Sequence, residues 1–314
     1  MDSFYKNKVF LAPMAGVTDL PFRIICRRFG ADAVYSEMIS AKGIHYGDKK
    51  TKLLLETSAE EAPLIVQIFG CEPEIMAEAA RYMEDAGVKY LDINMGCPTP
   101  KIVSNGDGSA LMKDLALARK VISATVSACT IPVSVKIRAG WDEEHINAVE
   151  IARIAEDAGA VAIAVHGRTR SQFYSGHADR AIICAVKEAV SIPVIANGDI
   201  QSASDALAMM QETGCDSIMV GRGAEGNPFL FREIKAAMGK TSIPPLTKEE
   251  KQETIRQHMK LLVENKGEHI GILEARKHLA WYVKGIPGAT KLKTRAFSAT
   301  TLSEVLSIID EIDI

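Results

Sequence analysis

Three side chains at the ends of apolar runs could do chemistry together: Cys97 in LDINMGC, Lys136 in PVSVKIR and His166 in AIAVHGR. Gly96 and Pro98 flank the cysteine, so neither helix nor sheet continues through it and the thiol falls on a turn. A free cysteine is commonly a small buried hydrophobe, but the turn argues for exposure. An exposed thiol is a nucleophile once deprotonated, or a general acid while it keeps its proton. No neighbour in the sequence is placed to activate Cys97, which favours the acid role.

Lys136 lies among apolar neighbours and needs a partner or a lowered pKa. It could face an electron-rich ring or form a Schiff base. The plainer alternative is a pair with a core carboxylate. His166 opens HGRTR beside Arg168 and Arg170, and a structural role is as plausible for it as a catalytic one. Gln67 in VQIFG and Asn94 in DINMGC are polar residues in apolar runs. Each could bind a heterocycle or merely a core backbone group.

The stretch GRGAEG, 221–226, matches a dinucleotide-binding spacing. That fold would need a following βαβ unit and an acidic residue about 20 positions on, and the chain runs instead into SIPPLT. In a barrel, the loops after strands 7 and 8 commonly bind phosphate. Gly221 and Gly223 would expose N–H groups, Arg222 would add charge, and Asn197, Gly198 and Asp199 would complete the cradle. Tight turns with no ligand are the alternative.

The elements that must position these residues are eight short apolar runs: 9–14, 33–38, 64–70, 91–97, 132–138, 162–168, 193–199 and 217–223. Near-continuous hydrophobicity suits parallel strands covered on both faces. The segments between them, such as PEIMAEAARYMEDAG, carry helical periodicity and close on glycine. Eight such units predict an α/β fold, a (β/α)8 TIM barrel, with a doubly wound sheet as rival. Met14, Glu37, Gln67, Cys97, Lys136, His166, Asn197 and Gly221 would then converge on its C-terminal mouth.

After Lys240 strand signals stop. SIPPLT reads as a linker, and 247–264, 271–285 and 298–312 read as amphipathic helices, the first opened by a Thr247–Glu250 capping box. The expectation is a barrel domain over 1–241 and a small helical domain over 242–314.

The chain has 314 residues, 47% apolar and 25% charged, an ordinary globular composition. No apolar run approaches the about 18 residues of a membrane span, and the N-terminus does not read as a signal peptide. Six scattered cysteines without a C-x-x-C pair argue against a zinc site or disulfide frame, and for a reducing cytoplasm. A formal charge of −3 does not advertise nucleic-acid binding, so any basic patch must be local. Between Glu274 and Glu304 stand Arg276, Lys277, Lys284, Lys291, Lys293 and Arg295 with no acidic residue, interleaved with Trp281, Tyr282 and Phe297. Such a run is either a phosphate-binding surface or a solvated helix face.

Taken together, APMAGVTDLPFR, VQIFG, DINMGCP, KIRAGW, HGRTR, IANGDI and VGRGAEGNPFLF resemble the bacterial tRNA-dihydrouridine synthases, most like the B type. The resemblance runs through the whole barrel in order, and RKHLAWYVKG in the tail fits it too. It implies an FMN flavoprotein that reduces the C5–C6 bond of selected tRNA uridines, with NADPH as electron donor. By that resemblance Pro13, Met14 and Ala15 line the flavin, Gln67 and Lys136 meet its polar edge with His166 close by, and Asn197, Gly198, Asp199, Gly221 and Arg222 hold its phosphate. Hydride would reach C6 of the uracil and Cys97 would protonate C5. Asn94 and Arg138 would hold the uracil, Arg168 would be a further substrate contact, and Arg276 and Lys277 would grip the tRNA body. No metal and no membrane are expected as partners, and a monomer is expected.

Two other readings remain at this level. A barrel oxidoreductase for a free small molecule, of the dihydroorotate dehydrogenase kind, would share the cradle and lysine but would not explain the basic helical tail. A non-catalytic tRNA-binding protein would be colourless when purified.

Overall fold

The structure is a computed structural model and describes residues 2–48, 51 and 54–313. The outermost bounds of the two expected domains, Met1 and Ile314, lie outside the described residues. Each of the eight apolar runs forms a strand, joined by one short extra: β1 (Val9–Leu11), β2 (Ala33–Tyr35), β3 (Ile39–Ser40), β4 (Leu64–Phe69), β5 (Leu91–Met95), β6 (Val133–Arg138), β7 (Ala162–His166), β8 (Val194–Asn197) and β9 (Ser217–Val220). All pairings between these strands are parallel, and β1 pairs with β9. The pairing of β2 with β4, Val34 opposite Leu64, closes the ring. The architecture is therefore a closed (β/α)8 barrel. The two-residue β3, absent from the sequence reading, lies on β4 beyond the ring.

Side chains alternate with period two along a strand, so residues two apart share a face. Ile65, Ala162, Ala164 and Ile195 join Tyr5, Phe10 and Tyr35 in one apolar cluster. Two residues further along the same strands stand Gln67, His166 and Asn197. The inner face thus turns from apolar to polar towards the strand ends. At the opposite end the N-terminal turn Asp2–Tyr5 packs in, with the Phe4 ring stacked on Tyr90 at a centroid distance of 4.1 Å. The larger apolar cluster includes the other strand face and the helices outside it.

The tail contains four helices among the described residues: Lys248–Lys266, Glu268–Tyr282, Ala289–Ser298 and Leu302–Ile309. The capping box at Thr247 is present. The helix Ala289–Ser298 lies inside the basic run and was not legible, because only Leu292 and Ala296 of it are buried. So short an element is held by packing rather than by its own propensity. The tail has its own apolar cluster, built on Ile255, Met259, Leu279 and Ile308 among others.

The tail docks on the barrel helix Leu20–Arg28 and on the loop after β9. Phe22 stacks on His258 at 5.5 Å and meets His278 at 5.4 Å. Lys266 Nζ binds Asp19 Oδ2 at 2.5 Å. Gly226 has φ +68°, and a Cβ there would lie 2.4 Å from the Trp281 carbonyl carbon. Backbone meets backbone at that point, so only glycine fits.

Candidate active site

A cavity of about 320 Å³ opens at the C-terminal mouth of the barrel. Its wall includes Pro13, Met14, Ala15, Gln67, Asn94, Cys97, Lys136, Arg138, His166, Asn197, Gly198, Asp199, Gly221 and Arg222. The structure therefore brings together side chains from β4 through β8 and from the loops after β1, β5 and β9. Glu37, Arg168, Arg276 and Lys277 do not line it.

Cys97 sits on a turn held from both sides. Its N–H and that of Gly96 donate to Asn94 Oδ1 at 2.9 and 3.1 Å. Its carbonyl accepts from Ser109 Oγ at 2.8 Å and Ser109 N at 3.1 Å. The thiol is half-buried and lies 3.4 Å from Thr99 Oγ1. Gly108, at φ +61°, passes so close that a Cβ would stand 3.1 Å from Cys97 Cβ.

Behind the cysteine lies a buried polar chain. Asn94 Nδ2 donates to Gln67 Oε1 at 2.7 Å, and Gln67 Nε2 donates to Asp92 Oδ2 at 2.7 Å. Ser134 Oγ donates to Asp92 Oδ1 at 2.6 Å. Burial pushes the Asp92 carboxyl up to about 6, against the hydrogen bonds from Ser134 and Gln67 that favour its ionised form.

Lys136 Nζ donates to Asn197 Oδ1 at 3.2 Å, and Asn197 Nδ2 donates to the Met219 carbonyl at 2.8 Å. Burial first, and then the charge of Arg138, lowers the lysine to about 8. The opposite charge of Asp92 acts the other way, so the core-carboxylate alternative is realised as a field rather than a direct ion pair. His166 is held well below the ordinary histidine range by burial and by Arg138, Lys136, Arg168 and Arg222. It is neutral, and its Nε2 is buried without a hydrogen-bond partner.

Arg138 uses Nε on the Gly96 carbonyl at 2.8 Å and Nη1 on the Thr169 and Phe173 carbonyls, both at 2.9 Å. Arg168 is buried and does not line the cavity. It donates to Asp199 Oδ1 at 2.8 Å and to the carbonyls of Ser175 and Gly176. Its donors are engaged by the loops after β7 and β8.

The Asp199 carboxylate is likewise engaged, by Arg168 and by Ala178 N–H at 2.8 Å. A carboxylate would repel a phosphate, so what position 199 offers a phosphate is backbone. Residues 197–199 turn sharply, with φ +129° at Gly198 and +51° at Asp199. A Cβ on Gly198 would stand 2.5 Å from Ala178 Cβ, and one on Gly223 would stand 2.1 Å from the Ile200 carbonyl oxygen. A Cβ on Gly221 would meet nothing nearer than 3.7 Å.

Sequence reasoning missed Tyr174. Its ring lies on the cavity wall, with the Arg222 guanidinium 4.4 Å and the Arg138 guanidinium 5.7 Å from its centroid. The signal was an aromatic pair, Phe173–Tyr174, in the loop directly after HGRTR. Met38, Thr99, Gln201 and Glu225 also line the wall unforeseen.

On the tail, Arg276 Nε and Nη2 both donate to the Ala299 carbonyl, at 3.1 and 2.7 Å. That use holds two tail segments together. Lys277 pairs with Glu274 and reaches the loop after β1, where its Nζ would lie 3.8 Å from a Cβ on Gly16. Glu37 accepts from Gly16 N–H in that same loop. Lys284, Lys291 and Phe297 are exposed, whereas Tyr282 is buried with its hydroxyl 3.1 Å from His258 Nδ1.

Asp19, His258 and His278 also gather, with ligand-type atoms within 4.8 Å of one another. Both Asp19 oxygens are engaged, Oδ1 by Phe22 N–H and Oδ2 by Lys266. Burial lowers His258 to about 4 and His278 well below the ordinary range, so both rings are neutral.

Comparisons with known proteins agree with this geometry. The chain matches the family model described as dihydrouridine synthase over residues 10–313. It is 43% identical over 302 residues to tRNA-dihydrouridine synthase B of Xanthomonas axonopodis pv. citri, covering 96% of this chain and 91% of that one. It is 45% identical over 299 residues to tRNA-dihydrouridine synthase B of Pasteurella multocida, covering 94% and 89%. Among solved structures it is similar in fold to histamine dehydrogenase from Rhizobium sp. 4-9, with TM-score 0.55 at 14% identity over 81% of this chain and 49% of that one. From its cavity, its strand order and this sequence likeness along almost its whole length, the chain belongs to the dihydrouridine synthase family.

Proposed function

We propose that this protein reduces the C5–C6 double bond of particular tRNA uridines to give 5,6-dihydrouridine, using FMN reduced by NADPH. The observation that carries the reading is a half-buried thiol, Cys97, on the wall of a cavity shared with Lys136 and an arginine-bearing glycine loop.

The residues present fit FMN. His166 Nε2 is buried without a partner on the cavity wall, as expected of a group that meets a ligand. The missing side chain at Gly221 is not demanded by neighbouring protein atoms, so it leaves room for something else. Arg222, whose Nη2 lies 3.7 Å from Asp199 Oδ1, still has 43% of its side chain exposed and would keep donors for a phosphate. Arg222 and Gly223 open a single 3-10 turn whose first N–H groups lack helical partners. Gln67, Lys136 and His166 would meet the polar edge of the ring system, and Gly198, Gly221 and Arg222 would hold the phosphate.

Reduced FMN, when bound, would supply the hydride that goes to C6 of the uracil. Cys97 Sγ–H gives the proton to C5, and the thiol is restored from solvent. Such a group typically contributes about 10²–10⁴-fold in rate. The clamp from Asn94 and Ser109 fixes the direction of that transfer. Arg138, with Nε and Nη1 anchored on carbonyls, is rigid and positively charged beside the thiol turn, where it can meet charge developing on the uracil carbonyls. The uridine must leave its stack to enter the cavity. Exposed lysines of the tail and Lys277 beside the mouth would hold the tRNA body through its phosphates.

The test is purified protein with tRNA lacking the modification. A yellow preparation that adds two hydrogens to a uridine with NADPH, and leaves free uridine untouched, supports the reading. A colourless protein, or turnover on free uridine or orotate, refutes it. Mass mapping of tRNA from cells lacking the protein identifies the position.

A further inference from the structure

Asp92 is fully buried and does not line the cavity. It stands at one end of the chain that ends on Cys97. A carboxylate only accepts hydrogen bonds, and a backbone N–H only donates. Between these fixed ends lie two carboxamides, each able to turn either way. Asp92 Oδ2 requires the amino group of Gln67, found at 2.7 Å. That turns Gln67 Oε1 towards Asn94, which must answer with Nδ2, again at 2.7 Å. Asn94 Oδ1 is thereby aimed at the N–H groups of Gly96 and Cys97. Both ends demand the same orientation of both amides, so the chain has one polarity.

We infer that Asp92 is a positioning residue, whose carboxylate sets the orientation of the Gln67 and Asn94 amides and, through them, the seat of the Cys97 thiol. Ser134 fixes the carboxylate by donating to its other oxygen. Gln67 and Ser134 donate to its two oxygens, and both hydrogen bonds favour the carboxylate against the burial that raises it. A second consequence concerns the cavity. Asn94, which keeps a little exposure where Gln67 has none, has one amino hydrogen outside the chain and lines the wall. The wall there donates, which suits the carbonyl or ring-nitrogen acceptors of a flavin or uracil. This part rests on the proposed function; the polarity of the chain does not.

The experiment reverses that polarity. Asn94→Asp sets acceptors on both sides of Gln67, and no turn of its amide satisfies both. Adding Asp92→Asn lets the carboxamide at position 92 donate to a turned Gln67, while the carboxylate at position 94 accepts from Gln67, Gly96 and Cys97. The readouts are flavin bound per chain, the single-turnover rate on tRNA and the tRNA KM. Asn94→Asp is expected to slow turnover on the order of 10²-fold, as displacement of a reacting group does. The second substitution should recover about tenfold or more, a coupling within the range found for contacting residues. A double variant as slow as the product of the two single losses overturns the inference. If Asn94→Asp does not fold, Asp92→Leu and Asp92→Asn decide. The apolar side chain leaves Gln67 unanchored and should be on the order of 10²-fold slower in kcat, whereas the carboxamide still accepts from Gln67 and should stay within about tenfold of wild type. Equal rates for these two overturn it. Failure of the proposed function reads differently: wild-type protein itself would then lack flavin or leave tRNA unreduced.

Discussion

Lys277 of the tail reaches Gly16 of the barrel, its Nζ 3.8 Å from where a Cβ on that glycine would be. A tail cation therefore stands beside the loop that follows β1 and forms part of the mouth. Arg276, its neighbour in the chain, turns the other way onto the Ala299 carbonyl. Two adjacent basic residues thus have different consequences. Charge reversal at Lys277, Lys284 and Lys291 should raise the tRNA KM and reduce the salt dependence of binding by about one unit of slope per lost contact. Arg276→Ala should instead cost about 1–3 kcal/mol of stability, by leaving a carbonyl without its charged donor. Filter binding across a salt series and thermal melts separate the two. Unchanged salt slopes in all three reversals would leave the basic run as plain surface.

Cys97→Ala removes the only thiol on the cavity wall among the described residues. It should retain flavin and lose about 10²–10⁴-fold in single-turnover uridine reduction. Full-rate reduction by this variant would assign the proton to another group.

Gly221 and Gly223 lie two residues apart and should respond oppositely. Gly223→Ala drives a Cβ to within 2.1 Å of the Ile200 carbonyl oxygen, so the loop must shift, at a cost of about 1–3 kcal/mol in stability. Gly221→Ala meets only Ala12 and Met14 at 3.7 Å, so its melting temperature should hold while flavin affinity falls. Melting curves of flavin-free protein, with fluorescence titration of FMN, read both effects.

The barrel–tail joint should be acid-labile. His258 titrates near 4 in the folded protein because of burial, well below an ordinary histidine. The unfolded chain binds the extra proton first, so stability contributed by the neutral ring is present above the unfolded pKa of about 6.5 and is lost as pH falls towards 4. His278 shifts in the same direction. The melting temperature should therefore drop between pH 7 and pH 5, and His258→Phe should flatten that slope. An equal slope in the variant would place the acid sensitivity elsewhere.

Lys136 acts in the same direction over a more alkaline window. Its folded pKa of about 8 lies below the unfolded value near 10.4, so the unfolded state holds more protons between the two and stability rises with pH there. Its charge, by contrast, is lost above pH 8. Flavin affinity should decline from pH 7.5 to 9, and Lys136→Met should abolish that dependence. A flat wild-type profile would remove the lysine from cofactor binding.

The eight barrel strands, the linker and the basic tail were legible in the sequence, together with the polar residues at the strand ends. Those are local signals: a near-continuous apolar run names a strand covered on both faces, and the polar residue near its end names the mouth. They placed Cys97, Lys136 and His166 around one mouth because a parallel barrel leaves strand ends nowhere else to go. Which polar groups were already engaged came from the folding together of distant segments. Arg168 and Asp199, both legible as mouth residues, satisfy one another across 31 positions, and Arg276 is held by a carbonyl 23 positions away. Tyr174 entered the wall because two arginines from other strand ends flank it, and Ala289–Ser298 became a helix because the rest of the tail covers Leu292 and Ala296. No local pattern encodes such partnerships, since each depends on the approach of segments whose spacing along the chain says nothing of their distance in space.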